Sequence, residues 1–178
     1  MNTFRWSMVA RCLAASAFLY LPGVGAGAEQ MKVKPLKVLM VTGGSSHDYD
    51  NQKLILSKGI ATRANVDWTI AHLGGKNRNR KIKLFMKTNW AAGYDVVVHN
   101  QCFGGVVDVP FVEGIARVHA EGVPAVMIHC TPHSYRNAKT DAWRKVVGVS
   151  SFSHEKHRPL AVQNMATDHP VMKGFPKT

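Results

Sequence analysis

Short apolar runs recur along the chain, and each one ends in glycine or in polar residues. The clearest runs cover residues 37–42, 66–72, 95–99 and 124–129. Apolar runs of this length with such boundaries are typical of strands that are buried on both faces of a parallel sheet. A fifth, shorter strand is predicted over residues 160–163.

Helical patterns lie between these runs, over residues 51–64, 81–89, 108–121 and 138–147. The third is the best marked, because Asp108 can cap its start, Pro110 lies in its first turn and Gly122 follows its end. In the first helix, we expect the apolar stripe to consist of Leu54, Ile55, Ile60 and Ala61. Alternating strands and helices predict an α/β fold, a parallel sheet with helices on both faces.

The first 28 residues have a different pattern. Arg5 and Arg11 precede an apolar run over residues 12–21. The small residues Ala26, Gly27 and Ala28 follow this run. This is the order of a secretory signal peptide, so we predict cleavage before Glu29. The run is too short for a stable membrane anchor, although a retained anchor is the alternative. A mature chain over residues 29–178 that is periplasmic or secreted is therefore expected.

Composition indicates an ordinary globular chain, with 46% hydrophobic and 19% charged residues. Lysine and arginine number 23 against 11 acidic residues, which gives a net charge of +12. These basic residues are scattered, apart from a predicted solvated loop over residues 76–83 that reads KNRNRKIK. Because the chain is predicted to be exported, we expect no nucleic-acid partner and interpret the charge as a contribution to solubility.

Polar and reactive residues follow the first, third and fourth predicted strands. They are His47 and Asp48, then Asn100 and Cys102, then His129 and Cys130. Ligands of open parallel sheets bind beyond the carboxyl ends of the strands, so we expect these side chains to converge there. Histidine at such a position serves as a proton-transfer group or as a metal ligand. The alternative is that each histidine only hydrogen-bonds the backbone and holds a loop.

Two cysteines, Cys102 and Cys130, remain after the predicted cleavage. A nucleophilic Cys130 is disfavoured, because no G-x-C-x-G turn surrounds it and an exported thiol is exposed to oxidation. Neighbouring strands lie about 4.8 Å apart, and a disulfide tolerates Cα separations of about 4.4–6.8 Å. We therefore expect a disulfide between Cys102 and Cys130, with two buried thiols as the alternative.

Further histidines lie in two later segments. His154 follows a predicted helix end in the sequence SFSHE, and His169 lies in the turn sequence TDHP. Both are candidates for proton transfer or for holding loops. No pair of histidines has the spacing of a zinc protease or a zinc finger, so the sequence leaves the metal ligands unassigned.

In order along the chain, five segments resemble the ThuA-like (trehalose utilisation) family of the class I glutamine-amidotransferase-like superfamily. They are VLMVTGGSSHD, YDVVVHNQC, EGVPAVMIHCTPHSY, AWRKVVGVSSFSHE and TDHPVMKGFP. The resemblance runs from about residue 37 to residue 176 and implies a flavodoxin-like sheet with a site at its strand ends. Members of this family have a histidine where amidotransferases have their cysteine nucleophile, and His129 matches that position.

The resemblance also implies a function, the cleavage of glycosidic bonds in oxidised, 3-keto sugars. His129, His154 and His169 are then the expected catalytic residues, with His47, Asp48, Asn100 and Trp143 binding the substrate. A divalent metal ion is implied without assigned ligands, and a homo-oligomer is compatible with the family. Because the family domain continues through another strand and an acidic segment, the C-terminal part is expected to be missing. A non-catalytic sugar-binding protein is the alternative.

Overall fold

The computed structural model describes residues 33–176, so the predicted signal peptide over residues 1–28 lies outside the described residues. The described residues contain four strands and three α-helices, and a helix follows every strand except the second. They are β1 (Leu36–Gly44), α1 (Tyr49–Ala61), β2 (Val66–Leu73), β3 (Val96–Cys102), α2 (Val109–Ala120), β4 (Ala125–Met127) and α3 (Ala142–Val147). Short 3-10 turns cover Lys83–Met86, Thr131–His133 and Pro170–Met172.

The four strands form one parallel sheet in the order β2-β1-β3-β4. This is an α/β fold, as the sequence pattern predicts, with the flavodoxin-like strand order that the family resemblance implies. The register pairs Gly44 of β1 with Cys102 of β3, and His99 of β3 with Met127 of β4. The carboxyl ends of β1, β3 and β4 therefore meet at one edge of the sheet.

Alternate residues of the strands face opposite sides of the sheet. Leu39, Val41 and Val97 are fully buried on one side, in the main core with residues of α2 and α3. Val38, Met40 and Val98 face the other side, where Leu56 of α1 packs against them. The period of two in the strands thus builds two apolar layers, with helices on both faces of the sheet.

Aspartate side chains cap the first two helices. Asp48 accepts a hydrogen bond from the backbone N–H of Asn51 at 3.1 Å, and Asp108 does the same for Phe111 at 3.1 Å. The predicted apolar stripe of α1 is wrong, because Leu54 and Ile55 are 45% and 68% exposed. Leu56 provides the contact of α1 with the sheet instead.

Other boundaries differ from the predicted ones. The helix predicted over residues 81–89 is only the 3-10 turn Lys83–Met86, and α3 begins at Ala142 rather than at residue 138. Residues 160–163 are not a strand, since Leu160 and Val162 are 62% and 74% exposed and no strand pairs with this segment in residues 33–176. Over the same residues, no helix has the length and apolar character needed to cross a bilayer.

Candidate functional site

The site lies at the carboxyl edge of the sheet, where the loop after β1 meets the turn after β4. The Nε2 atom of His47 lies 2.9 Å from the Sγ atom of Cys130. The rings of His47 and His129 pack edge to face, with their centroids 4.9 Å apart. The parallel sheet therefore brings together side chains that are more than 80 residues apart in the sequence.

Close contact between β1 and β3 fixes the start of the His47 loop. Gly44 has a φ of 104°, and a Cβ atom there would lie 2.2 Å from the carbonyl oxygen of Cys102. Only glycine fits this position, because any side chain would collide with the β3 backbone. The backbone N–H of Ser45 then donates a hydrogen bond to the same Cys102 oxygen at 3.2 Å. The chain is thus held to β3 two residues before His47.

His129 adopts a sparsely populated backbone conformation, with a φ of 43°. Such a conformation costs free energy and persists when its surroundings hold it in place. Thr131 provides that restraint, because its buried hydroxyl donates to the carbonyl oxygen of His99 at 2.8 Å. Ser134 acts in the same way on Gln101, at 3.0 Å. These two bonds tie the turn that carries His129 and Cys130 to the end of β3.

Burial keeps the thiol of Cys130 in its neutral form. Loss of solvation, together with the neighbouring Cys102, raises the pKa of Cys130 to about 11, although Arg136 opposes the rise. The pKa of His47 is lowered, first by burial and then by His129 and His154. At neutral pH, a protonated Cys130 thiol and an uncharged His47 therefore share a hydrogen bond between Sγ and Nε2.

The structure holds Cys102 and Cys130 as free, buried thiols and not as the predicted disulfide. Both pack with the buried ring of Tyr49, and burial raises the pKa of the Tyr49 phenol. Cys102 is the last residue of β3, whereas Cys130 follows the end of the neighbouring strand β4. The structure therefore agrees with the alternative stated from the sequence, two buried thiols, and both thiols contact the Tyr49 ring.

His47, His129 and Cys130 could hold a metal ion. One ligand atom from each residue lies within 4.8 Å of the others. Two imidazole nitrogens and one sulfur form a donor set that suits zinc and other borderline or soft metal ions. Binding would require the Cys130 proton to leave, because thiolate rather than thiol is the ligand. The donor set therefore fits a divalent ion with nitrogen and sulfur preference.

A cavity of about 530 Å³ opens beside His47 and His129. The segment 153–158 forms its other wall, with His154 and His157 rings stacked at a centroid distance of 6.2 Å. The Nδ1 atom of His154 lies 3.1 Å from the carbonyl oxygen of Glu155. Since a carbonyl only accepts, Nδ1 of neutral His154 carries the proton, and its Nε2 atom keeps a free lone pair.

Two of the predicted substrate-binding residues make structural contacts. Asp48 caps α1 and also accepts from the Asn51 side chain at 2.6 Å, although it lies next to His47. Asn100 is 3% exposed, and its amide donates to Gln52 of α1 at 3.2 Å. Asn100 is two residues after Val98 in β3, so both side chains face the same side of the sheet. On that side α1 covers Asn100 and shields it from solvent.

Trp143 and His169 also differ from their predicted roles. Trp143 is 2% exposed and belongs to the main core, where its indole N–H donates to the carbonyl oxygen of Thr131 at 3.3 Å. It therefore supports the turn after β4 and offers no face to a sugar ring. His169 is exposed and caps the 3-10 turn Pro170–Met172, with Nδ1 accepting the Val171 N–H at 3.2 Å. It does not line the cavity beside His47.

A second pair of histidines joins β3 to α2, with His99 fully buried and His119 half-buried. Nε2 of His99 lies 2.8 Å from Nε2 of His119, and Nδ1 of His119 lies 2.9 Å from the Val123 carbonyl oxygen. Because that oxygen only accepts, His119 carries its proton on Nδ1 and accepts from His99 through Nε2. Gln101 then donates to Nδ1 of His99 at 2.9 Å. Burial lowers the pKa of His99 to about 3, so both rings are neutral in one continuous chain.

Sequence reasoning missed several contributors to the site. Tyr49 lies behind the thiols, Thr131 and Ser134 hold the turn, and Arg136 is close enough to Cys130 to affect its pKa. Thr131 and Ser134 carried a usable signal, because short hydroxyl side chains in a turn commonly bond the neighbouring backbone.

Comparison with known proteins gives no match: no family model fits the chain, and no similar curated protein or solved structure is found.

Proposed function

We propose that this protein is a ThuA-like, carbohydrate-active enzyme that cleaves glycosidic bonds of 3-keto sugars with the help of a divalent metal ion. The observation that carries the proposal is the convergence of His47, His129 and Cys130 beside an open cavity of about 530 Å³. A cavity of this size accommodates a small carbohydrate. The residue segments that resemble the ThuA-like family include all three of these side chains.

The position of His129 favours this chemistry over that of a glutamine amidotransferase. His129 has the strained backbone and the exposed place at the tip of β4 that a nucleophile would need. The neighbouring thiol is 5% exposed, and its raised pKa keeps it protonated. A protonated, buried thiol is a poor nucleophile, so Cys130 serves better as a structural residue or metal ligand.

The reaction begins with the acidity that a 3-keto group gives to the neighbouring C2–H bond. His154 accepts the C2 proton at its free Nε2 atom, and the electron pair of that bond moves towards the carbonyl. Return of the electron pair breaks the bond between C1 and the glycosidic oxygen. This oxygen takes the proton held by His154 and leaves as an alcohol. Addition of water across the resulting C1–C2 double bond restores the keto sugar. When bound, the metal ion supplies Lewis-acid polarisation of the keto oxygen.

A glycosidase mechanism with paired carboxylates is disfavoured by the lining of the cavity. That mechanism requires two acidic side chains on either side of the scissile bond. Among the described residues that line this cavity, Glu155 alone is acidic. The same lining contains four histidines, His47, His129, His154 and His157, so imidazole chemistry is the better supported choice.

The decisive assay follows release of glucose from 3-keto-trehalose by the purified protein, with and without a chelator. We expect activity that the chelator abolishes and zinc restores. His154→Ala should lower kcat by about 10²–10⁴-fold, the range for loss of an acid–base group. His169→Ala is the matched control and should leave kcat nearly unchanged, because His169 only caps a turn.

The non-catalytic alternative makes a different prediction in the same assay. Saturable binding of the keto sugar without product would support a sugar-binding protein and would contradict the enzyme. This alternative depends on aromatic stacking, and Trp143 and Tyr135 are 2% and 3% exposed. Phe152 is 55% exposed, so its ring is accessible to a sugar.

A further inference from the structure

A second cavity, of about 430 Å³, lies on another side of His47 and has a strongly basic lining. Arg78, Arg136, His133, His154 and His157 contribute to it, and Cys130 forms part of its floor. Three serines add hydroxyl groups, and no acidic side chain is among the described residues that line it. Since His47 and His154 line both cavities, the basic cavity adjoins the proposed reaction site.

A pair of glycines after β3 allows the two arginines to approach. The Gly105 N–H donates to the Arg78 carbonyl oxygen at 3.1 Å, which fixes the basic loop against the end of β3. A Cβ atom on Gly105 would lie 1.8 Å from Oδ1 of Asn79. A Cβ atom on Gly104 would lie 3.1 Å from both Nε of Arg136 and the His133 carbonyl oxygen. The absence of side chains here therefore makes room for Arg136 and for the loop that carries Arg78.

Neither guanidinium is neutralised by an acidic side chain within residues 33–176. Arg136 donates to the backbone carbonyl of Phe152, which orients the side chain but does not cancel its charge. The guanidinium group presents a planar set of donors that matches carboxylate and phosphate oxygens. Two such groups over one cavity without a counter-charge form a site that favours an oxyanion.

We propose that this cavity binds an oxyanion, a carboxylate or a phosphate, that is part of the substrate. The inference rests on the proposed function, since it takes the two adjoining cavities as one substrate site. It narrows the substrate class to acidic sugars, such as uronic acids or sugar phosphates. Arg78 and Arg136 would hold the anionic group, and the rest of the sugar would lie next to His47 and His154. The basic loop then contributes to recognition as well as to solubility.

Calorimetric titration at about 0.15 M salt, where long-range attraction is screened, tests the proposal. The probes are glucuronate, glucose 6-phosphate and neutral glucose. We expect one or both anions to bind at least tenfold more tightly than glucose, and the preferred anion identifies carboxylate or phosphate as the group recognised. Arg78→Gln and Arg136→Gln should each weaken anion binding by at least about tenfold, the effect of losing one charged hydrogen bond.

Lys139→Gln is the matched control, because it removes one positive charge from an exposed site that lines neither cavity. It should leave anion affinity unchanged. Arg136 bonds the backbone of Phe152, so its variant is checked by circular dichroism, whereas exposed Arg78 tests the proposal without that contact. Equal affinity for glucose and both anions, or unaltered anion affinity in Arg78→Gln, would overturn the proposal.

These outcomes are independent of the proposed reaction. Anion selectivity that depends on Arg78 supports this inference even if the protein releases no product from a keto sugar. Metal-dependent turnover of neutral 3-keto-trehalose, together with binding that does not discriminate anions from glucose, would support the proposed function and overturn this inference.

Discussion

The imidazole of His47 and the thiol of Cys130 are 83 positions apart in the chain, yet their Nε2 and Sγ atoms lie 2.9 Å from each other. With His129 they form the group that could hold a metal ion. We predict that His47→Ala and Cys130→Ser each lower zinc affinity by more than about 100-fold, since loss of even a residue that supports a ligand costs about 10–100-fold. Competition with a chromophoric chelator measures this affinity.

The double variant tests whether both residues act at one site. If they bind the same ion, His47→Ala combined with Cys130→Ser should lose little more affinity than the stronger single variant, because the site is already broken. His169→Ala, which alters an exposed turn, should bind zinc like the wild-type chain. Zinc affinity that survives in both single variants would show that the ion binds elsewhere.

Asp48 provides a second prediction, because its contacts indicate a helix cap. Asp48→Ala should lower the free energy of unfolding by about 0.5–2 kcal/mol, and Asp48→Ser should recover most of the loss. Urea unfolding followed by circular dichroism measures both. The KM for substrate should change little in the serine variant. A large rise in KM with unchanged stability would instead support the role in substrate binding that the sequence suggested.

The fold was predictable because its main determinants are local. Residues 38–41 and 96–98 are apolar throughout, and such runs are typical of strands buried on both faces of a parallel sheet. The edge of the sheet where His47 and His129 meet follows from that topology alone. The fifth strand was mispredicted, since residues 160–163 have the right composition but no paired strand in the structure, and pairing is a non-local property.

The roles of individual site residues were harder to predict, because they depend on which way each side chain points. Asn100 and Gln101 are adjacent at the end of β3, yet they face opposite sides of the sheet, towards Gln52 of α1 and towards His99. Likewise, the sequence places Trp143 near the site but does not show whether its ring faces the cavity or the core. Such orientations are set by packing between helix and sheet, which a single sequence does not contain.

The burial of Trp143 leads to a third prediction. Trp143→Ala should lower the free energy of unfolding by about 3–5 kcal/mol, as expected when a large aromatic side chain leaves a core cavity. Trp143→Phe keeps most of the packing but loses the hydrogen bond to the Thr131 carbonyl. The loss of this bond should lower the free energy of unfolding by about 1 kcal/mol, in addition to the effect of the smaller ring. Thr131 restrains the turn that carries His129 and Cys130, so the phenylalanine variant should also lower zinc affinity modestly. Unaltered stability with lost sugar binding would contradict this assignment.

The pair of buried His99 and half-buried His119 leads to the last prediction, a loss of stability in acid. In the unfolded chain a histidine takes up a proton near pH 6.5. In the folded protein, burial lowers the pKa of His99 to about 3 and also lowers that of His119. The unfolded state therefore binds more protons below pH 6.5, and folding is fully favoured above that pH but progressively less so as the pH falls towards 3.

Urea unfolding at intervals from pH 8 to pH 5 measures the effect. We expect a nearly constant free energy of unfolding above pH 7, and below pH 6 a fall of about 1.4 kcal/mol per pH unit from His99 alone. In His99→Gln the slope should become smaller, even though the lost bond to His119 lowers stability at every pH. His169→Gln removes an exposed imidazole and should leave the slope unchanged. Equal slopes in wild-type protein and His99→Gln would mean that the buried chain of neutral histidines does not set the acid sensitivity.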